Sequence, residues 1–158
     1  MKKVLYFDMD GTIANLYESK DWLEKIVNQE PVFTDLEEMP DWASCRRILK
    51  VLKMKFNYQI GVVTWTPMNT TTEYEAKSRA EKNMWLADHA PDIFDFVTFQ
   101  TYGTPKELAI RSKHIEGVHI LFDDNHEVRE SWEQNFQQAF DEKNMLSVLK
   151  TLLAIELS

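Results

Sequence analysis

A three-layer α/β fold is predicted, in which a Rossmann-like parallel sheet lies between helices and carries a small, reduced cap insertion after its first strand. Two observations carry this prediction. The unbroken apolar run Val4–Phe7 reads as a strand buried on both faces, Ile60–Thr64 as a second buried strand and Val118–Phe122 as a further one, and longer stretches of helical spacing separate them. Each run also ends in polar, chemistry-bearing side chains, at the strand ends where open parallel sheets gather their ligands. No repeat, low-complexity tract or Pro/Gly/Ser-rich linker interrupts the 158 residues. One domain over 1–158 is therefore expected, with 14–40 as the cap insertion within it.

The elements follow in order. Val4–Phe7 is the first strand, and Gly11 lets the chain turn away from it without a Cβ penalty. The segment from Ala14 to Pro40 is the least regular. It holds a helix around Asp21–Asn28, with Trp22, Leu23, Ile26 and Val27 at helical spacing, and a capping-box-like turn at Thr34–Glu37. Asp41 is placed to cap a helix to about Lys55, with Ile48, Leu49, Val51 and Leu52 as its apolar face. Ile60–Thr64 is the second strand. Asn69–Glu73 is rich in cap residues and opens a charged helix to His89, closed by Pro91. Phe94–Phe99 is the third strand. Thr104-Pro105-Lys106-Glu107 reads as a cap, a first-turn proline and an acid three beyond the cap, opening a helix to Lys113 or His114. Val118–Phe122 is the fourth strand, followed by a helix through Trp132, a weak strand at Gln137–Phe140 and an amphipathic helix whose stripe runs from Met145 to Leu153.

Composition excludes some classes of function. A net charge of −8 with no basic face argues against nucleic acid as the main partner, although a small anion can still bind where a cation or local dipoles outweigh the overall field. No window has the apolar length of a membrane span, and the short stretch after the N-terminal lysines is cut at Asp8, unlike a signal peptide. Cys45, the single cysteine, suits a reducing compartment, and a cytoplasmic protein is expected.

The chemistry-bearing residues are Asp8, Asp10, Thr64, Lys106, Asp123 and Asp124. Asp8 and Asp10 have the same parity, so an extended backbone aims both to one side, where two like charges call for a cation or a proton between them. An isolated Asp-x-Asp-Gly is equally a turn after a strand. The coincidence of four strand ends carrying such residues favours a site. Lys106 in a helical first turn opposes the macrodipole by roughly 0.3–1 kcal/mol, unless an anion lies in front of it. Thr64 offers a hydroxyl and Trp65 its backbone N–H to a phosphate oxygen. Asp123 and Asp124 are neighbours and point to opposite sides of a strand, so one of them is a direct ligand; the alternative for Asp124 is capping the next helix. His89, His114, His119 and His126 share no metal-ligand spacing. Trp22, Phe33 and Trp42 either stack on a base or sugar or form the small core of the irregular segment.

In this order, Asp8-Met9-Asp10-Gly11-Thr12, Thr64, Lys106 and Asp123-Asp124 resemble the four motifs of the haloacid dehalogenase superfamily of phosphohydrolases. The resemblance spans Val4 to about Asn125. It implies a Mg²⁺-dependent phosphomonoesterase with Asp8 as nucleophile and metal ligand, and Asp10 as general acid and base that also reaches the metal through its main-chain carbonyl. Thr64, Trp65 and Lys106 would bind phosphate, Asp124 would ligate Mg²⁺ and Asp123 would stand in the outer shell. Within the superfamily, Lys82-Asn83-Met84-Trp85-Leu86-Ala87-Asp88-His89-Ala90-Pro91 is similar to the corresponding helix of the 5'(3')-deoxyribonucleotidase family. That likeness implies a nucleoside 5'-monophosphate as substrate. Here Trp65-Thr66 precede Pro67 where those enzymes have a serine and proline, and the insertion is shorter than their helical cap. Two other readings remain: a phosphatase acting on a nucleic-acid end or other large phosphorylated molecule, and a catalytically silent phosphate-binding module.

Overall fold

A computed structural model describes residues 1–110, 116–136 and 138–158. Five strands form one all-parallel sheet: β1 (Lys3–Phe7), β2 (Gln59–Thr66), β3 (Phe96–Thr101), β4 (Val118–Phe122) and β5 (Gln138–Phe140), in the order β3-β2-β1-β4-β5. The helices are α1 (Trp22–Val27), α2 (Trp42–Phe56), α3 (Thr72–His89), α4 (His126–Asn135) and α5 (Met145–Leu157). The expected α/β class is the observed one.

Side chains alternate across the sheet. On one face Leu5, Phe7, Ile60, Val62, Ile120 and Phe122 join a core with Trp42, Leu49, Trp85 and Leu149 of α2, α3 and α5. On the other, Val4, Tyr6, Val63 and Leu121 pack against Val128 and Trp132 of α4. Leu16, Val32, Phe33 and Leu36 from the segment between β1 and α2 belong to the first core. Cys45 is buried there too, and burial followed by the Asp41 charge pushes its thiol up to about 12.

The chain runs outward from β1 to β3, then returns to the far side of β1 for β4 and β5. This reversal opens a crevice between β1 and β4, the position at which open parallel sheets bind ligands. Phe7 and Phe122 are register partners, so Asp8 and Asp123 leave the sheet side by side.

Three local expectations need correction, and the alternative left open for Trp42 is decided. β3 starts two residues later than Phe94, because Phe94 is drawn into the first core beside Trp42 at 5.9 Å. Asp41 stands before α2 but its side chain makes no cap hydrogen bond. Trp42 is wholly buried between Phe7 and Phe94, so it is core and has no face for a ligand. Thr104–Glu107 does not open an α-helix: Lys106–Ala109 is a single 3-10 turn without a side-chain cap, and Ile110 is already extended. Tertiary contacts outweigh the capping pattern here, since the Trp65 indole takes the Thr104 carbonyl at 2.8 Å and Lys106 and Glu107 are drawn inward. The continuation toward Lys113 and His114, and the Gln137 start of the last strand, lie outside the described residues.

Candidate active site

The turn after β1 is tight. Met9 O accepts from the amides of Ile13 and Ala14, and Gly11 sits at φ +81°, a conformation glycine adopts without strain. A Cβ at Gly11 would lie 2.5 Å from Asp124 Oδ2 and 2.6 Å from the Tyr17 ring. The glycine is thus what allows the second acidic loop to approach the first. Thr12 ties the two loops together, its hydroxyl donating to Asp8 Oδ2 and accepting from the Asp124 amide, both at 3.2 Å.

Lys106 is buried beneath these carboxylates. Its Nζ lies 2.7 Å from Asp8 Oδ1 and 2.7 Å from Asp123 Oδ2. Burial alone would lower the ammonium's pKa, but Asp8 and Asp123 reverse that and hold it above the usual lysine range. The lysine is therefore where the sequence placed it, for a different reason: two buried anions hold it, and a four-residue 3-10 turn carries no helix dipole of consequence.

Asp8, Asp123 and Asp124 each bring one carboxylate oxygen to within 4.8 Å of the others. Burial first, then the Asp8 charge, pushes Asp123 up to about 6 and Asp124 up to about 9. Such crowding is offset by a proton or by a cation, and an all-oxygen donor set fits a hard divalent cation. Asp123 is the more committed of the pair after β4, with Lys106 on Oδ2 and the Asn125 amide on Oδ1 at 2.9 Å. Asp124 does not cap α4. Asn125 does, accepting from the amides of Glu127 and Val128, which leaves the Asp124 carboxylate to the crevice.

The Asp10 carboxylate turns to a second buried lysine. Lys82 Nζ donates to Asp10 Oδ2 at 2.8 Å, Thr64 Oγ1 at 2.8 Å and Trp65 O at 2.9 Å, and lies 4.7 Å from the Phe33 ring centre. Burial raises the Asp10 carboxyl against the pull of Lys82. Asp10 Oδ1 is buried and makes no hydrogen bond among the described residues. Because Thr64 accepts from Lys82, its own hydroxyl proton is left to donate elsewhere.

Lys82 opens the Lys82–Pro91 stretch noted in the sequence, but motif reasoning assigns it no role at the site. Its signal is helical spacing: Tyr74, Ser78, Lys82, Trp85 and Leu86 form the buried stripe of α3, and a lysine on such a stripe requires an anion beneath it. The described histidines stay out of the site. His89 pairs with Glu38 and stacks on Trp85, His119 meets the Tyr6 hydroxyl, His126 faces Glu130, and His114 lies outside the described residues.

Sheet order and switch-point crevice together define a Rossmann-like α/β fold with acidic loops at the crevice. Among solved structures the chain is similar to D,D-heptose 1,7-bisphosphate phosphatase from Burkholderia thailandensis, with a TM-score of 0.60 at 10% identity over 96% of this chain and 99% of that one. It is also similar to D,D-heptose 1,7-bisphosphate phosphatase from B. bronchiseptica complexed with magnesium and phosphate, with a TM-score of 0.54 at 11% identity over 96% and 98%. At these identities the likeness is one of fold. No protein-family model and no curated protein matches the sequence.

Proposed function

We propose that the protein is a Mg²⁺-dependent phosphomonoesterase that works through an aspartyl-phosphate on Asp8. The observation that carries this reading is the meeting of Asp8, Asp123, Asp124 and Lys106 in one crevice, beside an Asp10 oxygen with no hydrogen-bond partner among the described residues. Lys106 and Thr12 each hold one Asp8 oxygen and so fix the carboxylate's orientation. Asp8 attacks phosphorus, the bond to the leaving oxygen breaks, and Asp10 supplies that oxygen's proton from a carboxyl whose pKa burial has raised. Water then attacks the acyl phosphate, Asp10 takes the proton back, and inorganic phosphate leaves. Thr64 donates its hydroxyl, and Trp65 its backbone N–H, to the phosphoryl oxygens. Asp8, Asp124 and the main-chain carbonyl of Asp10 would hold Mg²⁺, which when bound offsets the repulsion between anionic nucleophile and anionic ester. Asp123 would support them from behind, through Lys106.

Segment 14–40 serves in this reading as a reduced cap beside the site, and a nucleoside 5'-monophosphate is the proposed substrate, on the strength of the Lys82–Pro91 segment. The buried, free Cys45 accords with a cytoplasmic setting. Among the described residues no helix is long and apolar enough to cross a membrane.

The test is phosphate release from a panel of phosphomonoesters in the presence of Mg²⁺. Turnover of at least one ester is expected, with Asp8→Asn losing at least about a thousandfold in kcat while keeping its circular dichroism spectrum. A folded wild-type protein that releases phosphate from no ester ends the enzymatic reading and leaves the silent phosphate-binding module.

A further inference from the structure

Above the carboxylates the crevice widens into a cavity of about 580 Å³, several times the space a phosphoryl group needs, with Asp8, Asp10, Asp124 and Lys106 at its base. An ester whose phosphorus sits against Asp8 has to send its leaving group into this space. Two walls face it. The core wall is Trp65 with Tyr102 at 4.9 Å, and the indole is fixed through its N–H on the Thr104 carbonyl. The wall from the insertion is Tyr17 against Trp22 at 5.0 Å, continued by Leu23.

Of the apolar side chains on α1, Trp22 and Ile26 pack partly against the first core, whereas Leu23 and Val27 are exposed. Helix α1 contains no buried residue, although Trp22, Leu23, Ile26 and Val27 all line the cavity. Tyr17, Leu23, Met68 and Tyr102 are each at least half exposed, and all four line the same cavity. Exposed apolar groups gathered at one opening mark a binding surface more than scattered ones do. Charge adds a constraint. Among the described residues lining the cavity the only cation is Lys106, which Asp8 and Asp123 already hold at 2.7 Å, whereas four carboxylates look into it.

We infer that this cavity is a leaving-group slot for flat, uncharged, largely apolar groups, and that it selects monophosphate esters carrying such a group over sugar bisphosphates. The inference rests on the phosphomonoesterase reading and names the substrate class for it. A ring between the two walls gains stacking area on both faces, while a second phosphate carried into the slot leaves water for apolar side chains and finds no free cation among the described lining residues. The neighbours in fold are named for a bisphosphate substrate. A nucleobase and a simple aryl ring share the required chemistry.

Two substrate pairs test this without changing the reacting oxygen: adenosine 5'-monophosphate against ribose 5-phosphate, and benzyl phosphate against ethyl phosphate. At least one flat member should exceed its partner at least tenfold in kcat/KM, with the larger ratio identifying base or aryl ring, and fructose 1,6-bisphosphate should be the poorest substrate. Tyr102→Ala and Leu23→Lys alter exposed side chains, so the fold should survive; each should cut the flat-to-small ratio at least fivefold, and Leu23→Lys should raise the relative rate on the bisphosphate. Quenching of tryptophan fluorescence by adenosine, with ribose as control, reads the slot without turnover and should weaken in both variants. Equal kcat/KM within both pairs, or preference for the bisphosphate, overturns the slot and leaves the phosphatase standing. Adenosine quenching that the variants diminish, with no phosphate released from any ester, keeps the slot and overturns the phosphatase.

Discussion

A lysine ammonium shielded from water needs three acceptors, and Lys82 has three in Asp10, Thr64 and the Trp65 carbonyl. Its partner Asp10 is mostly buried as well, so removing the cation leaves an acid with no counter-charge. Lys82→Met should therefore destabilise the protein by about 3–5 kcal/mol, read as a lower urea midpoint. Adding Asp10→Asn should return much of that loss, because the stranded charge disappears with it. A single variant within about 1 kcal/mol of wild type, or a double variant no better than the single, would show that the pair is not what holds this part of the site. Residue identities at the site were legible unevenly. Asp8 and Asp10 announce themselves as carboxylates of one parity at a strand end, whereas Lys82 does not, because a lysine in a charged helix looks solvated until the buried stripe through Ser78 and Trp85 is drawn. Lys106 was legible as a cation facing an anion, but the reason lies in two long-range ion pairs that local capping rules do not contain.

The element that sets the geometry is the β1 strand with its turn. Gly11 combines φ +81° with the closest approach in the site, 2.5 Å between a would-be Cβ and Asp124 Oδ2. Gly11→Ala should cost about 1–2 kcal/mol through the left-handed backbone alone. It should also push the Asp124 carboxylate outward, lowering kcat/KM by at least tenfold, because reacting groups tolerate little misplacement. Gly103 is the control: it also has a positive φ, +89°, but nothing lies within 4 Å of its would-be Cβ. Gly103→Ala should show the stability loss without the kinetic one, and matching kinetic losses in both would assign the effect to strain alone. At this scale β1, β2 and β4 were readable because both faces are buried, giving short, mainly apolar runs. β3 is an edge strand of half-buried residues, so its pattern is weak and its start shifts with the packing of Phe94. The 3-10 turn at Lys106 escaped because non-local contacts decide it.

Across the whole molecule, an acidic protein is proposed to act on an anionic ester, and the two are compatible only if the crevice carries its own positive charge. Four carboxylates, Asp8, Asp10, Asp123 and Asp124, stand there with two lysines, Lys82 and Lys106, which leaves an excess of two negative charges when all are ionised. That this crevice exists was legible, because the reversal of strand order after β3 brings the ends of β1 and β4 together by a general rule of parallel sheets. The deficit in positive charge predicts how the protein responds to metal. A ligand held only by the folded state stabilises it by about 2.7 kcal/mol at a hundredfold its dissociation constant. For a chain of this size that is roughly 5–10 °C in Tm. Mg²⁺ added to chelator-treated protein should raise Tm by that order, and NaCl at equal ionic strength should not. Asp124→Asn removes one oxygen ligand and an acid whose raised carboxyl pKa costs stability at neutral pH, so it should melt higher than the metal-free wild type and lose most of its response to Mg²⁺. An equal rise with NaCl, or an undiminished Mg²⁺ response in Asp124→Asn, would mean that the ion screens the acidic surface at large and is not bound between these loops.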